Sequence, residues 1–205
     1  MRQPGPIGPR GMEKGQAVAL LSGLRRVVPA ATALGLVAAV AAHPAAAQLA
    51  VGSTGITIGS PGDPPRLAFE AGAFNIIPSN HKDSSPAGYF GAEYRFGDVY
   101  SVFSPFVGVQ STSDGAAYGY FGFGIDINLG PNWVLTPNGA AGVFERGRGV
   151  KLGSWWEFRT GAELDYKLPD QSRIGIAFHH MSNAGLTKQN PGEESVLAVY
   201  SIPFP

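Results

Sequence analysis

A hydroxyl, an imidazole and a carboxylate lie close together near the C-terminus, as Ser182, His180 and Glu194. Those three types, within reach of one another, are the equipment of acyl transfer. The hydroxyl attacks a carbonyl. The imidazole takes its proton and later passes it to the leaving group. The carboxylate fixes the imidazole tautomer and steadies the imidazolium. A tetrahedral intermediate also needs donors aimed at its oxyanion, and here Asn183 offers a side-chain amide and Gly185 a backbone N–H. Spacing alone does not separate this trio from ordinary loop polars. Metal ligation by the adjacent His179 and His180 is the poorer chemistry, because neighbours on a strand point to opposite faces and no cysteine is present. No metal or other cofactor is expected.

The elements that would position these residues read as strands. In the run 171–182, Ile174, Ile176, Phe178, His180 and Ser182 share one face by period two. That face is apolar until it turns to His and Ser at one end. In the run 194–204, Glu194 has the parity of Val196, Ala198, Tyr200, Ile202 and Phe204, although Leu197 and Val199 blur the alternation. As hairpin neighbours the two runs bring His180, Ser182 and Glu194 onto one surface. His179 has the opposite parity and is expected to be a hydrogen-bonded interior residue.

Six further runs precede these, over 66–77, 86–96, 100–111, 116–129, 132–145 and 153–167. In the last, Trp156, Phe158, Thr160, Ala162, Leu164 and Tyr166 oppose Glu157, Arg159, Gly161, Glu163, Asp165 and Lys167. In 116–129, Phe121, Phe123, Ile125, Ile127 and Leu129 oppose Gly122, Gly124, Asp126 and Asn128. Aromatics on one face with charged or small residues on the other suit strands that face lipid outward and a lumen inward. Short links near 97–98, 130–131 and 168–170 alternate with longer ones near 78–85, 146–152 and 183–193, with 112–115 a short exception. The reading is an all-β fold, an eight-stranded antiparallel transmembrane β-barrel whose interior is filled by side chains. Glu145, Glu157 and Glu163 are expected as lumenal ion-pair partners, and Trp133, Trp155 and Trp156 as interfacial belt residues. Arg146, Arg148 and Lys151 fall in one extracellular loop as solvated charges able to meet lipid phosphates.

Composition agrees with a lipid-bathed β-protein. Charged residues make up 15% of the 205, with 29 glycines, against about 25% charged in soluble domains. The formal net charge is zero, which gives no footing for nucleic acid. Arg25-Arg26, the apolar run from Val27 to Ala42 and the small-x-small ending Ala45-Ala46-Ala47 predict a signal peptide over 1–47. Met12 is an alternative start to Met1. Residues 48–65, rich in Gly, Ser and Pro, are expected as an irregular lead-in to a barrel over 66–205. Beyond Ala47 there are ten Lys+Arg and fourteen Asp+Glu.

The segment His180-Met181-Ser182-Asn183-Ala184-Gly185, followed by Lys188-Gln189-Asn190-Pro191-Gly192 and Glu194, resembles the PagL-type lipid A 3-O-deacylases. The resemblance covers roughly residues 174–204. It implies an eight-stranded outer-membrane barrel with a lipid-facing active site and lipid A of lipopolysaccharide as substrate. It implies Ser182 as nucleophile, His180 as base and Glu194 as orienter, with oxyanion roles for Asn183 and Gly185. Asn190 matches a position the family uses near the site. The expected partners are lipid A and the outer-membrane lipids, with no nucleic acid; a homodimer is left open. Two other readings stand beside this one, a non-catalytic barrel of structural or adhesin type and an outer-membrane phospholipid esterase.

Overall fold

Period-two alternation becomes strand throughout the C-terminal three-quarters of the chain. The computed structural model describes residues 48–77, 85–97 and 102–204. The expected signal peptide, and the choice of Met1 or Met12, lie outside these residues. The elements are Leu49–Ala50 (β1), Ile56–Ile58 (β2), Arg66–Phe74 (β3), Ala87–Arg95 (β4), Phe103–Thr112 (β5), Ala117–Ile125 (β6), Ile127–Leu129 (β7), Trp133–Glu145 (β8), Trp156–Lys167 (β9), Arg173–Ser182 (β10) and Glu193–Pro203 (β11). β7 continues β6 past a break at Asp126, so eight staves result. Consecutive staves pair antiparallel. β11 also pairs with β3, which closes the ring. The expected eight-stranded barrel is therefore the fold. The connections 130–132 and 168–172 lie at one end, where β4 ends and β5 begins. The connections 113–116, 146–155 and 183–192 lie at the other, the long-loop end, where β3 ends and β4 begins.

The lead-in over 48–65 is more regular than its composition suggests. β1 pairs with β2, and β2 pairs with β7 from Ile56↔Leu129 to Ile58↔Ile127. The reason lies in β5, whose pairing with β6 extends only as far as Phe103↔Ile125. The outer edge of β7 would otherwise present unpaired N–H and C=O groups, and β2 takes that place. The chain then turns into the short-turn end of the barrel. There the Asp63 carboxylate meets Arg173 directly, and Lys167 and Arg66 each at 3.6 Å. At the same end Phe204 N–H donates to Pro65 O at 2.8 Å.

The two faces of the staves differ as the alternation requires. Phe69, Phe90, Val109, Phe121, Phe123, Ile174, Ile176 and Phe178 are exposed on the outside, more apolar surface than a soluble monomer presents in one band. Strands of 9 to 13 residues have the length a tilted strand needs to cross a hydrocarbon layer. Trp133 packs on Tyr166 at the short-turn end, and Trp155 on Trp156 at the long-loop end. This gives aromatic girdles at both rims.

The interior is charged in its middle and apolar near the long loops. Arg95 forms a two-pronged bond to Glu163, at 2.6 and 2.9 Å, and donates Nε to Glu93 at 2.9 Å. Arg159 holds the other Glu93 oxygen at 2.7 Å and lies 4.3 Å from the Tyr120 ring centroid. Tyr120 also donates to Glu93, and Tyr89 to Glu70. Nearer the long loops Phe74, Tyr118, Phe144, Leu152, Met181 and Leu197 are buried together. Leu197 and Val199, which blurred the alternation of the last run, are thus inward residues of this apolar part. A cavity of about 40 Å³ remains among residues that include Arg95, Arg159, Glu163 and His179, room for only about three waters. Glu163 is the ion-pair partner expected. Glu157 is buried and pairs with no cation among the described residues. Glu145 is exposed, because in β8 it is the even residues that face inward and Glu145 has outward parity.

Removing Arg95 leaves Glu163 without its cation, and Glu93 with Arg159 alone, in a buried site. Arg95→Ala is expected to lower stability by about 3–5 kcal/mol. Urea titration of the barrel refolded in lipid vesicles measures this, and a loss below about 1 kcal/mol would show that the network does not hold the lumen together.

Candidate active site

The site is built on the hairpin of β10 and β11. Its register sets His180 directly opposite Glu194 on one side and opposite Thr160 of β9 on the other, and sets Ser182 opposite Phe158. Ala177, His179 and Met181 are buried inside. Ile174, Ile176 and Phe178 are exposed outside, and His180, Ser182 and Glu194 continue that outward face at intermediate exposure. His180 Nδ1 lies 3.1 Å from Glu194 Oε1, with the two side chains 43% and 24% exposed. A carboxylate only accepts, so Nδ1 carries the hydrogen, and in the neutral ring Nε2 is then the acceptor. Ser182 sits two residues along the same face, about 7 Å by strand rise. Among the described residues no hydrogen bond joins it to His180.

Glu194 is held by its inward neighbour. Glu193 is buried, and its Oε2 accepts from Asn75 N–H at 3.1 Å and from Ser195 Oγ at 2.8 Å. Ile76 N–H donates to Glu194 O at 2.8 Å. The segment after β3 therefore clamps the start of β11. Of the two adjacent glutamates, one anchors the strand and the other meets the imidazole.

The loop 183–192 is ordered largely by Asn183. This side chain is fully buried. Its Nδ2 lies 2.9 Å from Leu152 O, 3.0 Å from Thr187 Oγ1 and 2.8 Å from Gln189 O. Its Oδ1 accepts from Gly185 N–H at 3.0 Å, and its own N–H donates to Asn190 Oδ1 at 3.0 Å. Leu186 N–H donates to Asn183 O, closing a turn in which Ala184 and Gly185 have φ of 52° and 80°. A left-handed alanine costs energy, and it stands two residues after Ser182. The donors expected to face an oxyanion are thus spent inside the loop. Asn190 supports the same turn.

Gly192 is a site residue that sequence reasoning quoted without giving it a role. Its φ is +70°, and a Cβ placed on it would stand 2.8 Å from His180 Cε1. The glycine lets the chain pass against the imidazole. A Pro-Gly pair entering a strand signals a turn, but nothing in the sequence tells which side chain the turn touches. His179 points into the lumen as its parity demands, against Gly161, where a Cβ would lie 2.4 Å from its Cδ2. Neither ring nitrogen bonds a protein group among the described residues. The hydrogen bond expected for it is therefore not made to a protein group among the described residues.

A model of the family described as lipid A 3-O-deacylase (PagL) matches residues 79–203. The lipid A deacylase PagL of Bordetella bronchiseptica is 35% identical over 54 residues, which are 26% of this chain and 30% of that protein. The chain thus aligns with less than a third of that relative's length. The crystal structure of the outer membrane enzyme PagL superposes with a TM-score of 0.54 at 18% identity, covering 68% of this chain and 99% of that one. At that identity the likeness speaks for the fold.

Gly192→Ala adds a Cβ where the φ is unfavourable and the imidazole is in the way. The ring is expected to move, stretching the His180–Glu194 contact beyond hydrogen-bond range while the barrel stays folded. A crystal structure of the variant, or the nitrogen shifts of His180, would show it; an unmoved ring sinks the assignment.

Proposed function

The chain belongs to the lipid A 3-O-deacylase (PagL) family, and on that premise we propose that it is an outer-membrane hydrolase. It removes an ester-linked 3-O-hydroxyacyl chain from the lipid A of lipopolysaccharide. On this reading residues 1–47 are a signal peptide removed after Ala47. The barrel spans the outer membrane with the long-loop end outside, and lipid A approaches sideways through the leaflet. Its ester carbonyls lie at interfacial depth, the depth of the upper ends of β10 and β11. The observation that carries the reading is the hydrogen bond from His180 Nδ1 to Glu194 Oε1, on the outward face beside Ser182.

In this mechanism Nε2 of His180 draws the proton from Ser182 Oγ as that oxygen attacks the ester carbonyl. Glu194 stabilises the imidazolium so formed. As the bond from the acyl carbon to the sugar's 3-oxygen breaks, His180 gives its proton to that oxygen, which leaves as the free hydroxyl, and water then hydrolyses the acyl-serine with His180 as base again. The missing Ser182–His180 hydrogen bond does not count against the pair, since such contacts often tighten only with substrate bound. Asn183 and Asn190 serve by holding the turn. Gly185 N–H, now given to Asn183 Oδ1, becomes the oxyanion donor when the developing negative oxygen, a stronger acceptor than an amide, competes for it. No cofactor takes part.

Mass spectrometry of lipid A from cells expressing the protein tests this. Wild type is expected to remove one hydroxyacyl mass. Ser182→Ala is expected to lower the rate about 10⁶-fold. Glu194→Gln is expected to cost about 10²-fold to 10⁴-fold, with little change in KM. Lipid A unaltered by wild type would favour a non-catalytic barrel. Release of fatty acid from phospholipid instead would favour the phospholipid esterase.

A further inference from the structure

The cations of the described residues fall into two sets. Arg66, Arg95, Arg159, Lys167 and Arg173 all sit in salt bridges, in the lumen or at its short-turn mouth. Arg146, Arg148, Lys151 and Lys188 are in none among the described residues. All four are exposed. They occur in the two loops 146–155 and 183–192, neither of which contains an acid. Asp114, the acid packed against Gly149, gives its carboxylate to Thr112 and to the Ala116 N–H.

These loops are joined as one body. Asn183 Nδ2 donates to Leu152 O at 2.9 Å, Thr187 Oγ1 to Gly153 O at 3.3 Å and Gln189 Nε2 to Lys151 O at 3.4 Å. Gly153, with φ of +99°, has no room for a side chain, since a Cβ would stand 1.9 Å from Gln189 O. The path from Lys151 to the nucleophile is correspondingly short: Leu152, one hydrogen bond, Asn183, Ser182. Trp155, 68% exposed in the same loop body, has the amphipathic ring that settles at headgroup depth. The unpaired cations are thereby set at the level of lipid phosphates, above an outward-facing site.

We propose that Lys151 and Lys188, with Arg146 and Arg148, form a recognition rim for phosphate monoester groups of the lipid whose ester is cleaved. The inference rests on the deacylase reading. Phosphate held at the rim orients the sugar so that one ester reaches Ser182. The interaction is made equally before and during the reaction, so it acts on KM and leaves kcat alone. Being exposed, it weakens with added salt.

The test compares the full protein with Lys151→Gln/Lys188→Gln, on phosphorylated lipid A and on the same lipid A stripped of phosphate. Expected is a rise in KM of about tenfold on the phosphorylated substrate, with kcat and the rate on stripped substrate unchanged. Arg146→Gln/Arg148→Gln should act in the same direction. Equal effects on both substrates, or none on the phosphorylated one, overturn the proposal. A second arm needs no turnover: binding of the two lipids in micelles to Ser182→Ala, with and without the lysine pair. About tenfold weaker binding of the phosphorylated lipid alone supports the rim, even if wild type cleaves neither lipid and the deacylase reading has failed. Inorganic phosphate competing as well as the lipid would mark a general anion patch and sink the assignment.

Discussion

Arg95 is the point on which the barrel turns. Eight staves enclose too little space for bulk water, so the inward side chains must satisfy one another. A guanidinium from β4 spans the lumen to Glu163 of β9 and keeps Glu93 of its own strand, which in turn holds Arg159. Charges taken from water are costly unless paired and hydrogen-bonded. The rings of Tyr120 and Phe106 lie beside Arg159, and the hydroxyls of Tyr120 and Tyr89 donate to Glu93 and Glu70. The network ties non-adjacent staves across the centre, in addition to the ladder bonds that run around the wall.

Once the inside is committed in this way, the outside follows by parity. Position 179 belongs to the lumen, so 180 and 182 belong to the lipid. Position 193 anchors β11, so 194 is free to meet the imidazole. The same alternation that keeps the wall apolar in its middle thus delivers three polar side chains to its upper edge. The site is a continuation of the outer wall.

This logic explains what the sequence made legible. The staves, their order, the loop end and the outward placement of His180 and Glu194, with His179 and Glu193 inward, all follow from period two and hairpin adjacency. What escaped depends on contacts that have no period. β2 lies beside β7 because β5 is short at its start, which requires knowing two registers at once. Glu145 stands at the end of a strand whose inward set is even, and an acid there looks like any other. The Asn183 amide is turned inward because two distant loops place carbonyls around it. Gly192 earns its place through one contact with a ring twelve residues earlier in the chain.

The near-absence of free volume inside the wall has a consequence beyond stability. A bilayer protein with an open bore exchanges solutes with its surroundings, and each added copy raises the leak. With a central cavity of about 40 Å³ and a mouth crossed by the segment that carries Asp63, the barrel shows no bore for solutes the size of a sugar among the described residues. Its abundance in a membrane can therefore rise without opening the permeability barrier to toxic compounds. The chemistry at the outer wall and the barrier the barrel occupies can be adjusted independently.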